Sequence, residues 1–118
     1  PKEGYLYQYA LIADSLGVHS KLLRKIGSFS GQKEIEAIAV DDELGFVYYS
    51  DEGVGIRKYH ADPKRGNEEI SIFGSEYFKD DIEGIALATY DNAQGFLIVS
   101  NQQDTQQTLP LAAQVIKT

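Results

Sequence analysis

An internal repeat constrains this sequence more than any other feature. Ile35-Glu36-Ala37-Ile38-Ala39 returns 47 residues later as Ile82-Glu83-Gly84-Ile85-Ala86. Gly45-Phe46-Val47-Tyr48-Tyr49-Ser50 returns 50 residues later as Gly95-Phe96-Leu97-Ile98-Val99-Ser100. A period of about 40–50 residues made of short β-prone segments is the pattern of β-propeller blades, each a four-stranded antiparallel sheet. In both copies a carboxylate stands at the start of the first strand, so one edge of successive sheets collects acid.

Between these anchors, strand-forming stretches alternate with turn formers. Residues 4–12 are aromatic and aliphatic, and a loop over 13–17 follows. Residues 22–29 alternate loosely, with Lys21, Arg24 and Lys25 placed toward solvent and Gly27 marking a kink or bulge. The complete unit predicts strands over 35–40, 46–50, 56–60 and 69–73. Asp41-Asp42-Glu43-Leu44-Gly45 forms its first hairpin loop, and Asp62-Pro63-Lys64-Arg65-Gly66-Asn67 is dense in turn formers. The next unit predicts strands over 81–87 and 96–100, turning at 90–95. Lys2-Glu3-Gly4 ahead of Leu6 parallels Asp51-Glu52-Gly53 ahead of Ile56.

The expected architecture is therefore all-β: half a blade, one full four-stranded blade and the first half of the next. Residues 1–102 carry this pattern. Residues 103–118 form a divergent tail, Gln-rich and interrupted by Pro110, read as a weak strand, a short helix or a disordered run. A closed propeller needs about 4–8 blades, so the pattern predicts a section of a larger protein. A small β-sandwich is the competing architecture.

Composition excludes several functions. No apolar run reaches the ~20 residues of a membrane-spanning helix. With no cysteine there is neither a disulfide nor a thiolate zinc site. A net charge of −7, from 18 acidic and 11 basic residues, argues against a nucleic-acid-binding face. It would also repel a polyanionic small molecule, unless metal ions stood between the two.

The acid itself is organised. In an antiparallel hairpin the start of the first strand lies beside the end of the second. Glu36 and Glu52 therefore share one edge of a sheet, and Asp81 and Glu83 occupy the corresponding start in the next unit. Asn101 and Gln102 follow the matching strand end, and Lys2 stands at the equivalent point of the preceding unit. Like charges gathered this way destabilise one another unless cations neutralise them. Calcium, with 6–8 oxygen ligands and tolerant geometry, suits such a rim. The competing reading leaves these carboxylates solvated or hydrogen-bonded to loop amides. Asp41, Asp42, Glu43 and Asp91 fall at the opposite edge and read as solvated turn residues. His19 and His60 lie away from the rim, as surface or packing residues, so zinc is not expected. Adjacent Tyr48 and Tyr49 must face opposite sides of their strand.

The run from Glu34 through Gly45, the strand end Tyr48-Tyr49-Ser50-Asp51-Glu52, and Asp81-Ile82-Glu83-Gly84 followed by Gly95-Phe96-Leu97-Ile98-Val99-Ser100 together resemble the β-propeller phytases. Lys2-Glu3-Gly4 is similar to that family's Gly-Lys-x-Gly turn without its first Gly. The resemblance spans about residues 2–102 in order. It implies a six-bladed propeller that uses calcium to hydrolyse phytate (myo-inositol hexakisphosphate). Glu36, Glu52, Asp81 and Glu83 are then implied calcium ligands, with Gln102 as a further polar residue of the metal site. Lys2 is the implied phosphate-binding lysine.

No side-chain nucleophile is implied, because a metal-activated water attacks phosphorus. The implied setting is extracellular or periplasmic in a bacterium, and the implied partners are inositol phosphates and the remaining blades. Without those blades this section is expected to be inactive. Two other functions compete: a non-catalytic propeller that presents its rim to a protein, and a metal-dependent lactonase-like propeller. Neither has a use for a rim lysine beside the carboxylates.

Overall fold

The computed structural model describes residues 4–32, 34–76, 81–91, 94–102 and 116–117. The fold is all-β, built as several antiparallel sheets. Strands β1 (Leu6–Asp14) and β2 (Gly17–Ile26) form a hairpin. Strands β3 (Ile38–Asp41), β4 (Phe46–Asp51), β5 (Gly55–His60) and β6 (Glu69–Phe73) form a four-stranded meander in chain order. Strands β7 (Asp81–Asp91), β8 (Gln94–Gln102) and the two-residue β9 (Ile116–Lys117) form the third sheet. The third position of that sheet is taken by Ile116 and Lys117 beside Leu97 and Phe96. Residues 103–115, the bulk of the divergent tail, lie outside the described residues.

The β3–β6 sheet is covered on both faces, and the alternation of strand side chains explains how. Tyr48 packs with Ala37, Ile56, Ile82, Leu97 and Val99, joining this sheet to β7 and β8. Tyr49, one residue on, packs with Ile26, Ile35 and Tyr59 on the face turned to the β1–β2 hairpin. The opposite orientation of the two tyrosines is thus observed. The Tyr49 and Tyr59 rings stack with centroids 5.8 Å apart. The Tyr49 hydroxyl donates to the Ser28 carbonyl at 2.6 Å and accepts from the Ser28 amide at 2.7 Å, anchoring the segment that leaves β2.

Two local expectations need correction. Arg24 does not face solvent: its Nε donates to Gln8 Oε1 at 2.6 Å, while its other nitrogens donate to the His60 and Gly66 carbonyls. It therefore fastens the β1–β2 hairpin to the β5–β6 connection, and desolvation lowers its pKa. The ladder irregularity in this hairpin lies opposite Gln8 and Tyr9, between Leu22 and Arg24, while Gly27, with a φ of 105°, turns the chain as it leaves β2. Asp41 is not a solvated turn residue, being only 1% exposed. Its Oδ1 accepts from the Glu43 and Leu44 amides at 3.1 and 3.0 Å, so the side chain itself builds the turn. By contrast Asp42 and Glu43 are exposed as expected.

Candidate functional site

The rim forms where strand ends meet. Ahead of β3 the chain runs extended, with Glu34 and Glu36 exposed and Ile35 and Ala37 buried between them. This stretch lies beside the end of β4 without a regular ladder. The Ser50 amide donates to the Ala37 carbonyl at 2.9 Å and the Glu52 amide to the Glu34 carbonyl at 3.2 Å. The Ala37 amide turns to the Ser50 hydroxyl at 3.1 Å. In the next sheet Asp81 pairs with Gln102, so the start of β7 lies beside the end of β8 as expected.

Glu52 joins these two rims. Its Oε1 accepts from the Ile82 amide at 3.1 Å and its Oε2 from the Glu34 amide at 3.5 Å. The residue is 4% exposed, whereas Glu36 and Glu83 are exposed. Glu36 shows the electrostatic consequence. Its carboxyl is held above the ordinary value by a hydrogen bond with Glu34 and by the charges of Glu52, Glu34 and Glu83. Among the described residues no Lys, Arg or His forms an ion pair with any of these four.

The structure thus brings Glu36, Glu52 and Glu83 into one electrostatic neighbourhood. It adds Glu34, which the sequence reading passed over. Its i, i+2 spacing from Glu36 in an extended segment was the available signal. The side chains of Asp81 and Gln102, and all of Lys2, lie outside the described residues. The turn that follows Lys2 nevertheless keeps its parallel, since Gly4 and Gly53 have φ values of 85° and 86°. His19 and His60 stand apart, the first beside Asp14 on the exposed hairpin and the second against Phe46 and Arg65.

Hard oxygen donors without countercharge fit a divalent cation such as calcium. The convergence is one of charge: among the described residues no three His, Asp or Glu side chains come close enough to hold a metal ion. Two concave regions lie elsewhere. A polar depression of about 440 Å³ is lined by residues including Tyr5, Ser28 and Asn67. An apolar groove of about 150 Å³ separates the β1–β2 hairpin from Ile38 and Val40. Neither is lined by a rim carboxylate.

The raised Glu36 pKa has a definite sign for stability. A group that holds its proton more tightly when folded contributes stability at low pH and loses it as pH rises through its folded pKa. Glu36→Gln keeps a hydrogen-bond donor for Glu34 and removes the charge. In chelator, the variant is expected to melt above the parent chain at about pH 7 and to match it near pH 3, below the carboxylate range. Thermal melts at the two pH values check this.

The comparisons with known proteins agree in direction. The family model described as "Phytase" matches residues 1–110. A protein described as 3-phytase, from Bacillus subtilis (strain 168), is 27% identical over 103 residues. That match takes in 86% of this chain and 26% of the relative, so the chain spans about a quarter of the relative's length.

Proposed function

The chain belongs to the phytase family, and from that premise we propose that it supplies one section of a calcium-dependent phytase, a hydrolase releasing phosphate from myo-inositol hexakisphosphate. The observation that carries this reading is Glu52, whose carboxylate accepts from the Glu34 and Ile82 amides and so brings the segments bearing Glu36 and Glu83 together, with no described cation paired to these carboxylates. In a phytase such a rim has a direct use, because substrate and protein are both anionic and only cations can stand between them.

Glu36, just ahead of β3, and Glu83, near the start of β7, are the exposed carboxylates that would hold the cation, and Glu52 would contribute the charge behind them. Asp81 and Gln102 extend the set from the paired ends of β7 and β8. Calcium, when bound, supplies a Lewis acid for phosphoryl oxygen and lowers the pKa of a coordinated water. Lys2 is assigned to the phosphate, where its ammonium balances charge on the phosphoryl oxygens. The three sheets are read as half of one propeller blade, a complete blade and the opening of another. The remaining blades supply further ligands, so this section alone is inactive. The proposed setting is extracellular or periplasmic.

Family membership favours this reading over an interaction module or a lactonase-like propeller. The test is phosphate release from phytate by the full-length protein carrying this segment, with calcium and then with a calcium chelator. Activity that requires calcium and disappears on chelation is the expected result. An unchanged rate in chelator would remove calcium from the mechanism, and no release under either condition would remove the phytase activity.

A further inference from the structure

Glu52 does more than add charge to the rim. Its two carboxylate oxygens accept from amides that lie 48 residues apart in the chain, those of Glu34 and Ile82. The Glu34 amide stands two residues before Glu36, and the Ile82 amide stands between Asp81 and Glu83. The backbone adds a third tie, from the Glu52 amide to the Glu34 carbonyl. Ile82 is fully buried and Glu52 nearly so, while Glu34 is exposed, so the Ile82 amide is the dry end of the pair. In such a place an unpaired amide or carboxylate is strongly unfavourable, while a carboxylate receiving amide hydrogens is strongly held.

We infer that Glu52 is a positioning residue: its carboxylate latches the segment that leads into β3 to the start of β7 and thereby fixes Glu36 and Glu83 relative to each other. This rests on the cation-site reading above for its purpose, but not for its geometry. The backbone hydrogen bonds use one lone pair on each oxygen, so the latch operates whether or not Glu52 also touches a cation. Side-chain partners behind a metal site commonly change its affinity about 10–100-fold when removed.

Glu52→Gln keeps the shape and one acceptor but turns an NH2 donor toward one of the two amides. The test compares it with Glu36→Gln and Tyr49→Phe in the full-length protein carrying this segment, using calcium chloride as the only ligand. Melting in chelator, calcium titration and amide hydrogen exchange are the three measurements.

Glu52→Gln is expected to melt lower in chelator, to bind calcium at least about tenfold more weakly, and to exchange the Ile82 and Glu34 amides faster. Glu36→Gln is expected to weaken calcium binding without lowering the chelator melt. Tyr49→Phe loosens the opposite face of the sheet. It is expected to lower the melt and leave calcium affinity unchanged, separating positioning from general destabilisation. A Glu52→Gln variant with a parental chelator melt and unaltered exchange at both amides overturns the latch. If the full-length parent fails to bind calcium, the cation reading falls, while exchange at Ile82 and Glu34 still decides the latch. Should Glu52→Gln not fold, Glu52→Asp, with its shorter arm, is read by the same measurements.

Discussion

Asp51→Ala is expected to destabilise the chain by about 3–5 kcal/mol, the usual consequence of stranding one partner of a buried ion pair. Asp51 is fully buried. Its Oδ2 accepts from Arg57 Nε at 2.9 Å and the Ser30 amide at 2.8 Å, and its Oδ1 accepts from the Ser30 hydroxyl at 2.7 Å. Arg57 Nη1 also donates to Glu69 Oε1 at 2.7 Å, and the Tyr59 hydroxyl reaches the same oxygen at 3.2 Å. Burial alone would lower the Arg57 pKa, but the hydrogen bonds to Glu69 and Asp51 outweigh it and the net shift is upward.

Removing Asp51 therefore leaves the Arg57 guanidinium with Glu69 as its remaining carboxylate partner and strands the Ser30 amide and hydroxyl beside it. Such a loss is a large share of the roughly 5–15 kcal/mol that holds a domain together. Urea titration should show a lower midpoint with an unchanged slope. Adding Arg57→Met to Asp51→Ala should recover part of the loss, since removing both charges is far less harmful than removing one. A single-variant loss below about 1 kcal/mol would show that this network is not a main support.

Gly55→Ala is expected to be of similar severity. Gly55 pairs with Asp51 where β4 turns into β5, and its φ is +147°, a region unfavourable to any residue with a Cβ. An added Cβ would lie 2.6 Å from the Phe73 carbonyl oxygen and 3.1 Å from the Ser75 hydroxyl. The first of these is backbone in the neighbouring β6 and cannot rotate away. Overpacking contributes about 1–3 kcal/mol and the strained backbone about 1–3 more, for a sum of about 2–6. Because Glu52 stands in the same turn, the variant should also disturb the proposed cation site. A melt within a degree or two of the parent would contradict the geometry.

Much of the fold was legible because strands and turns here obey local rules. Glu69–Phe73 coincides with the stretch its turn-rich approach and β-prone composition marked out. Phe46 and Gly45 marked the second strand of the first hairpin in the same way. The strand over 35–40 was less well bounded, since the ladder begins only at Ile38. The side chain of Ser50 displaces a carbonyl as partner of Ala37, a substitution that periodicity cannot express.

The same reasoning explains the misread charges. Asp41 and Arg24 are polar residues in polar-looking stretches, but packing between sheets buries the first and backbone carbonyls of a distant turn capture the second. The rim carboxylates were legible because hairpin geometry alone places Glu36 near Glu52 and repeats the placement at Glu83. The amide partners of Glu52 were not, because nothing local specifies a contact with Ile82, 30 residues on.

The back-to-back placement of Tyr48 and Tyr49 carries a constraint on how this chain can vary. A single residue gained or lost within β4 would exchange the two rings. Ser50 and Asp51 would change faces with them, turning away from the Ala37 amide and from Ser30 and Arg57. Length changes can accordingly be absorbed only in the turns. The strand itself behaves as a fixed ruler against which both flanking layers are cut.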